Sequence, residues 1–457
     1  ASFLYKNYLS LDLTGRYDIS STLPAANNKY FYPSASVGLI FSELMDLDGI
    51  SFGKVRANYA NVGADAPASS LRDIYVMGTP FNGTPLASAP STSNNANLLP
   101  ETTTSYEAGL EMQFADNRFG FDLTAYRAIS QNQIMPARVS SSTGTIFKYV
   151  NAGVIQNQGV ELVLNASAIR TKDMGLDFAL TYTRNRNEVL ELFGDAESLQ
   201  LTSNQGGFQL LAKIGEPYGT IFGVAHERDA NGLPIVYPIN ASRGYRYLRT
   251  ATPQTIGNVN PDWMGGLNTS FRYKRLTANV LLDMQMGGSF FSLDTWYGYA
   301  TGIYDWSAGE NDKGVERREM VIDGGGVNMG DVAVWDGSSV DEDGNPITSA
   351  NTEAIYGDMN YYGNSFGYAR APQEYHVWDA SFIKLREVAI NYSFPMDKNS
   401  SIKGFDVSLV GRNLAILWKN APYTDPEAGL SAGNLQGYQS GAYPAVREIG
   451  LNAKLKF

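Results

Sequence analysis

The sequence has no cysteine and only two histidines, and these absences exclude several kinds of chemistry. Without cysteine there is no disulfide framework, no thiolate metal site and no cysteine nucleophile. His226 and His376 lie far apart in the chain, which leaves little material for a histidine metal site or a Ser–His–Asp relay. We therefore predict no enzymatic activity, no metal site and no cofactor.

Basic charge and long apolar runs are also scarce. The net charge is −11 and the pI about 4.9, so the basic patch typical of nucleic-acid binders is not expected. No run of about 18 apolar residues occurs, so no membrane-spanning helix is predicted. The chain begins at Ala1 with no charged and apolar leader, and we expect residues 1–457 to be a piece of a longer protein, without its signal peptide.

Apolar and polar residues alternate strictly in many segments. In Tyr106–Phe114 every second residue is apolar, and Leu276–Met284 and Val388–Phe394 repeat the pattern. This period of two predicts strands, because a helix would scatter the same residues around its axis. Many of the predicted strands exceed ten residues, about what a tilted strand needs to cross a bilayer. About twelve strands are predicted, at 5–18, 32–42, 52–62, 103–114, 118–130, 157–168, 175–187, 262–273, 275–288, 377–394, 402–415 and 445–457.

The connections between these strands alternate between long and short. Outer-membrane barrels have short turns at the periplasmic rim and longer loops at the extracellular rim, and this rhythm favours a transmembrane antiparallel β-barrel over a soluble sandwich. The predicted long connections are 19–31, 63–102, 131–156, 188–261, 289–376 and 416–444. The short ones are 43–51, 115–117, 169–174, Lys274 and 395–401.

The last strand and the polar faces of the strands support the same prediction. Charged residues such as Glu107, Glu111 and Asp122 would be costly in contact with lipid, so that face is predicted to line a wet or protein-filled lumen. An apolar face that ends in a terminal phenylalanine is similar to the signal read by the machinery that assembles outer-membrane barrels. That face consists of Ile449, Leu451, Ala453, Leu455 and Phe457.

Five segments in order resemble the SusC/RagA family of TonB-dependent outer-membrane transporters, and the resemblance covers nearly the whole chain. Each motif is weak alone, and the ordered set is specific. They are Leu99–Thr102 leading into Ser105–Glu111, Asn151–Leu162, Ile256–Trp263, Ala380–Val388 and Gly411–Leu414.

The resemblance implies an all-β fold in which this chain supplies about the last 12 strands of a 22-stranded barrel. It also implies an N-terminal plug and a TonB box, both outside this chain, and a SusD-like lipoprotein lid over the barrel. The implied function is TonB-dependent import of a large nutrient, an oligopeptide or a glycan. The loops contain nothing selective for either ligand.

The loop predicted at 289–376 is dense in aromatic residues. These rings could contact ligand, could pack against the lid, or could pack on one another, and the sequence leaves all three alternatives open. The candidates for ligand or lid contact are Trp296, Tyr297, Tyr299, Tyr304, Trp306, Tyr361, Tyr362 and Tyr368.

Other motifs are predicted to have structural roles rather than catalytic or metal-binding ones. Asp341–Asn345 resembles half of a calcium loop, but the acidic clamp falls on Ala350, so a polar turn is predicted. Glu107, Glu111 and Asp122 are expected to bond plug side chains or water rather than to catalyse. Aromatics near strand ends, namely Trp263, Tyr273 and Tyr392, are predicted to anchor the barrel at the membrane interface.

Three functional hypotheses follow. The first is active import under a lid. The second is a passive porin-like channel or an adhesin barrel, which needs only the strands in this chain. The third is a soluble carbohydrate-binding β-protein, which aqueous partitioning of the native protein would support.

Overall fold

The computed structural model describes residues 1–45, 47–360, 364–396, 401–429 and 436–457. Its main feature is one antiparallel sheet of 13 strands, called the wall, in which every strand pairs with its sequence neighbour in the sheet. The strands are β1 (Ser2–Tyr5), β2 (Leu9–Ile19), β3 (Lys29–Ile40), β4 (Ile50–Ala64), β5 (Glu101–Phe114), β6 (Phe119–Gln131), β7 (Val154–Arg170), β8 (Met174–Glu191), β9 (Trp263–Tyr273), β10 (Leu276–Met286), β11 (Phe382–Phe394), β12 (Gly404–Lys419) and β13 (Glu448–Lys456).

Alternation gives the wall an apolar face and a polar face. In β5 to β8 the register aligns Leu110, Leu123, Leu162 and Tyr182 in one row across four strands. Large apolar side chains remain exposed along this face, for example Leu123 at 40% and Leu409 at 51%. Such a face needs an apolar medium, and the predicted fold class, an antiparallel transmembrane barrel wall, is confirmed.

Long and short connections alternate from β4 onwards, as predicted. The connections 20–28 before β3 and 41–49 before β4 have equal lengths of nine residues, so the alternation does not extend to them. The short-turn rim holds the turns before β2, β4, β6, β8, β10 and β12, and the long-loop rim holds the connections before β3, β5, β7, β9, β11 and β13. The β9–β10 turn consists of Lys274 and Arg275, and Lys274 has a φ of 52°. Among the described residues, no hydrogen-bonded ladder joins β1 to β13.

Two predicted strands are wrong in detail. The segment 5–18 contains a tight turn, because Lys6 and Asn7 adopt φ values of 45° and 61°, and the wall gains the short strand β1. The segment 377–394 is broken at 380–381, where Asp379 accepts a hydrogen bond from the Ser381 N–H. Val377–Asp379 then pairs with Ser289–Ser292 rather than with the wall.

The described residues of three long loops, 192–262, 287–381 and 420–447, fold together into a unit that we call the cap. Its largest sheet has six strands drawn from the first two loops, in the order Val327–Asn328, Tyr356–Gly357, Gly244–Tyr247, Ile235–Asn240, Ala333–Val340 and Pro346–Ala350. A four-stranded sheet comprises Ser198–Ser203, Gln209–Lys213, Thr220–Gly223 and Gln254–Asn258. A three-stranded sheet joins Val377–Asp379, Ser289–Ser292 and Tyr438–Gln439.

The best-buried part of the described chain lies in the cap. One cluster joins Val236 and Tyr247 to Tyr299, Met359 and Phe366. A second joins residues from all three loops, including Phe208, Phe291 and Tyr438. The cap also holds α1 (Leu293–Thr301), whose N-cap Ser292 accepts a hydrogen bond from the Thr295 N–H.

Two smaller loops meet beside the cap. Ile134–Arg138 pairs with Phe147–Asn151, which in turn pairs with Thr92–Ser93. A short hairpin joins Val76–Met77 to Ala87–Ser88. Among the described residues, no helix is both long enough and apolar enough to cross a membrane.

Candidate functional site

The polar face of the wall carries an ion pair and a further hydrogen bond near β4, β5 and β6. Arg56 donates to both carboxylate oxygens of Asp122, at 2.6 and 3.1 Å, and to the Thr124 hydroxyl at 2.6 Å. Glu111 lies directly opposite Asp122 in the strand register. The guanidinium therefore offsets two neighbouring carboxylates, and these residues act as a charged lining of the polar face.

A network of ion pairs fixes part of the cap to β11. Lys384 donates to Asp425 at 2.5 Å and also to Glu427, and the Lys384 and Asp425 side chains are 5% and 7% exposed. Arg386 bridges Glu427 and Asp283. Burial favours a raised pKa for the Asp425 carboxyl, but the ammonium of Lys384 and the Glu427 N–H hold it below its usual value.

An irregular register makes this network possible. Leu281 pairs with Glu387 while Leu282 pairs with Leu385, so Arg386 is an extra residue in β11. Such a bulge shifts the alternation by one position. Lys384 and Arg386 consequently share a face with Asp283, and segment 424–428 is held against the polar face of the wall.

The predicted aromatic residues are packed mainly against one another. Trp296, Tyr297 and Tyr368 form one group with ring centroids 4.8 to 5.2 Å apart. Tyr299 lies 4.5 Å from Trp306 and 5.9 Å from Tyr304.

Burial divides the candidates. Trp296 is 9% and Tyr299 3% exposed, whereas Tyr297, Tyr304, Trp306 and Tyr368 are half-buried. Tyr361 and Tyr362 lie outside the described residues. The half-buried rings are thus the described candidates whose surfaces are accessible to another molecule.

The two histidines also belong to the cap core. His226 lies 3.0 Å from Glu374, and Arg228 donates to the other oxygen of that carboxylate at 2.8 Å. Burial alone would raise the pKa of Glu374, but hydrogen bonds from His226 and Arg228 lower it to about 2. His376 is fully buried, and its Nδ1 lies 3.1 Å from the Thr295 hydroxyl.

A cleft of about 710 Å³ opens beside the four-stranded sheet. One face of this sheet is buried through Leu210 and Ala212, and the other face lines the cleft. The volume is within the range of small-ligand pockets. The lining combines amide side chains with aromatic rings and two basic residues: Gln200, Gln209, Gln254, Phe193, Phe222, Arg138 and Lys213.

Sequence reasoning missed this cleft and also the contact of Lys384 with Asp425 and Glu427, which we call the latch. The lining residues come from two loops and several short strands, so their proximity depends on long-range pairing. A weak signal existed in Ser198–Ser203, where polar and apolar residues alternate over the first five positions, but Gln209–Lys213 has three consecutive apolar residues and shows no such pattern.

The acidic turn at Asp341 has the geometry of a polar turn. Its carboxylate accepts hydrogen bonds from the backbone N–H groups of Asp343 and Asn345, at 3.0 and 2.8 Å. Within the described parts of the chain, no group of three or more His, Cys, Asp or Glu side chains is placed to hold a metal ion.

Comparison with known proteins identifies the wall. Residues 2–414 match the family model described as TonB dependent receptor-like, beta-barrel. The chain belongs to this family. The predicted SusC/RagA resemblance and the outer-membrane localisation are confirmed by the relatives that follow.

Several relatives align along nearly the whole chain. TonB-dependent receptor P26 of Formosa agariphila is 25% identical over 100% of this chain and 45% of its own length. TonB-dependent receptor SusC of Bacteroides thetaiotaomicron is 22% identical over 99% of this chain and 42% of its own length. The RagAB peptide importer in its 'closed-closed' state aligns with a TM-score of 0.73 and 17% identity, over 98% of this chain and 46% of that chain. The chain therefore spans less than half the length of these relatives.

The segments that carry the resemblance to TonB-dependent receptors have structural roles in this chain. The Asn151 side chain donates to the carbonyls of Leu99 and Asn132, at 2.8 and 2.9 Å, and accepts from the Leu99 N–H at 2.8 Å. It thereby ties the first motif to the second. Gly153 has a φ of 85°, and a side chain there would meet the Glu191 carbonyl.

Two further motifs meet at the latch. Lys384 and Arg386 come from Ala380–Val388, and Asn413, from Gly411–Leu414, accepts a hydrogen bond from Arg386 at 3.4 Å. Asn413 has a φ of 49°, in the left-handed region that asparagine tolerates better than most residues. In this TonB-dependent receptor chain, the family-like motifs therefore support contacts between the wall and its loops.

Proposed function

We propose that this chain is the C-terminal barrel part of a TonB-dependent importer that brings a large nutrient, an oligopeptide or a glycan, across the bacterial outer membrane. The observation that carries the proposal is a polar wall face onto which a cap loop is folded and fixed by buried charge at Lys384 and Asp425. An importer needs a wet path through the barrel and loops that control entry to it. Family membership and the likeness to the RagAB peptide importer support the same conclusion.

The remaining parts of the machine are proposed from the family. A plug and a TonB box would lie in the part of the protein that precedes this chain, and a SusD-like surface lipoprotein would cover the cap. The chain's 45% share of its relative P26 leaves room for such parts.

We propose that aromatic residues of the cap contact the ligand or the lid. Tyr297, Tyr304, Trp306 and Tyr368 present partly accessible rings, and Tyr361 and Tyr362 belong to the same loop. The buried rings of Trp296 and Tyr299 pack against Tyr297 and Trp306, respectively. The cleft beside Phe193 and Gln254 is a second place where a segment of ligand fits, because amides both donate and accept hydrogen bonds.

The test uses the intact transporter expressed with its lipoprotein partner. Cells receive labelled peptide and glycan pools, and uptake is compared between strains with and without TonB. We expect one pool to be taken up, with uptake abolished when TonB is absent. Uptake that persists without TonB, or stable ion-conducting pores formed by this segment alone, would favour the passive channel. Surface binding of ligand without uptake in either strain would favour the adhesin.

A further inference from the structure

Three arginines interrupt the apolar face of the wall near the long-loop rim. Arg127 continues the alternating series Phe119, Phe121, Leu123 and Ala125 of β6. Arg184 and Arg186 continue the series Leu180 and Tyr182 of β8. Because side chains two residues apart share a face, all three arginines lie on the apolar side of the wall.

Strand register brings the three arginines together. One row across β5 to β8 reads Tyr106, Arg127, Gln158 and Arg186. The next row towards the short-turn rim reads Ala108, Ala125, Val160 and Arg184. Below it lies the apolar row of Leu110, Leu123, Leu162 and Tyr182. The guanidinium groups thus belong to the first two rows above the apolar band, each step being about 6.8 Å.

An aromatic pair marks the edge of the same band. Tyr106 is 54% exposed, and its ring lies 5.3 Å from that of Tyr59 on the neighbouring strand. Tyrosines are enriched where a membrane protein passes from hydrocarbon to headgroups. The arginine rows therefore lie at headgroup depth on the long-loop rim, which is the extracellular rim of an outer-membrane barrel.

These guanidinium groups have N–H donors that are available to a ligand. Arg184 and Arg186 are exposed, and within the described residues their side chains make no ion pair or hydrogen bond. Arg127 uses its Nε to donate to Gln156 at 2.8 Å, which leaves its two terminal nitrogens. Glu188 is the next side chain on this face of β8, on the side away from the apolar band.

Arginines at the opposite rim behave differently. Arg118 donates to the carbonyls of Ser167 and Ala168, and Arg272 donates to those of Thr171 and Lys172. Arg170 donates to the Asp116 carbonyl at 3.2 Å. Those side chains stabilise turns, whereas no such structural role occupies Arg184 and Arg186.

We propose that Arg127, Arg184 and Arg186 form a docking site for the phosphate groups of outer-leaflet lipid headgroups. A guanidinium binds phosphate through paired, charge-assisted hydrogen bonds. The site holds lipid acyl chains against the apolar row below while the arginines hold the headgroup. The chain as a whole carries a net charge of −11, so attraction to an anionic lipid surface requires a local cationic patch of this kind.

The site differs from a free anion site and from a protein-docking site. Its position directly above an apolar band favours a ligand with a phosphate head and hydrocarbon tails. An acidic protein would need the apolar row to be covered by protein rather than by lipid. The inference rests on the outer-membrane location of the wall and does not depend on import.

The test measures lipid binding to the intact detergent-purified protein by native mass spectrometry. The probes are phosphatidylglycerol, phosphatidylcholine, bisphosphorylated lipid A and its dephosphorylated form. The variants are Arg184→Gln, Arg186→Gln and the double substitution. The control, Arg72→Gln with Lys148→Gln, removes the same charge from exposed loop positions away from the band.

We expect the wild-type protein to prefer the phosphate-bearing member of the lipid A pair. Each arginine substitution should weaken that binding by about fivefold, the effect of one basic residue at an anionic lipid surface. The control should bind as the wild type does, and phosphatidylglycerol should be retained better than phosphatidylcholine.

Three results would overturn the proposal. The double variant could bind lipid A as tightly as the wild type, the control could lose as much affinity, or inorganic phosphate alone could compete as well as lipid. A protein that cross-links to the wild type in cells and is lost from the double variant, with lipid binding unchanged, would point to an acidic protein partner instead. Nutrient uptake measured in parallel separates failure of this site from failure of the importer.

Discussion

At the scale of single residues, the cap core is built around an uncharged imidazole. His376 is fully buried between Tyr375, Tyr299 and Phe291, with ring centroids 5.4 to 6.3 Å away. Burial disfavours the imidazolium and lowers the pKa of His376 from 6.5 to about 3. Folding of the cap therefore requires this side chain to stay neutral.

This requirement predicts how cap stability changes with pH. Below about pH 6.5 the unfolded cap binds a proton at His376 that the folded cap rejects until about pH 3. Cap stability should fall as pH falls through this window, with a limiting slope of about 1.4 kcal/mol per pH unit. Thermal unfolding followed by tryptophan fluorescence between pH 7 and 5 measures it.

A matched pair of variants tests whether His376 causes this dependence of cap stability on pH. His376→Asn should remove this slope, and His226→Asn should leave the part due to His376 in place. Glu374 does not interfere, because its lowered pKa contributes stability that is lost only as pH falls from about 4.5 to about 2. A wild-type midpoint that is unchanged between pH 7 and 5 would contradict the prediction.

At the scale of elements, the decisive contact is the latch between β11 and segment 424–428. Lys384→Met should leave the Asp425 carboxylate buried without its cation, and breaking a buried pair costs about 3–5 kcal/mol. The segment can avoid part of that cost by opening into water. Hydrogen exchange of amides 421–429 should therefore accelerate strongly in the variant.

The chain offers a surface pair as the control. Arg412 and Glu387 join β12 to β11 at 2.9 Å, with side chains 61% and 34% exposed. Arg412→Gln should change stability by at most about 1 kcal/mol and leave exchange at 421–429 unchanged. A Lys384→Met/Asp425→Asn double variant should recover part of the protection. Equal exchange in Lys384→Met and wild type would rule out a latch.

The wall could be predicted from the sequence but the cap could not, and the reason is physical. A wall strand such as β5 carries its own evidence, since one face meets lipid and the other meets water along 14 residues. Cap strands such as Thr220–Gly223 have only four residues, which is too short for alternation to mark them. The Lys384–Asp425 pair depends on a bulge and on a distant loop, neither of which a local pattern specifies.

At the scale of the whole molecule, the residues predicted to form the assembly signal are exposed on β13 and at the terminal Phe457. Ile449, Leu451 and Phe457 are 74%, 76% and 84% exposed, and within the part of the chain that the structure describes β13 pairs with β12 alone. We propose that this strand is recognised during insertion. Phe457→Ala in the intact protein should lower the amount reaching the outer membrane severalfold.

Fractionation of cells and immunoblotting measure that loss. Lys456→Ala, next to it on the polar side, is the control. It should leave the level near that of the wild type, since the Lys456 side chain is 54% exposed and its 3.3 Å pair with Asp406 adds little stability. Equal membrane levels of the Phe457→Ala variant and the wild type would show that the terminal ring is dispensable.

The six-stranded cap sheet also constrains the order in which the protein can mature. Ile235–Asn240 lies between β8 and β9, yet it pairs in parallel with Ala333–Val340, which lies between β10 and β11. The sheet cannot close until both wall hairpins have brought these distant segments to the same rim, and such non-local pairing is slow. We expect this sheet to form after the two wall hairpins, so a completed cap would report that the wall beneath it has been built.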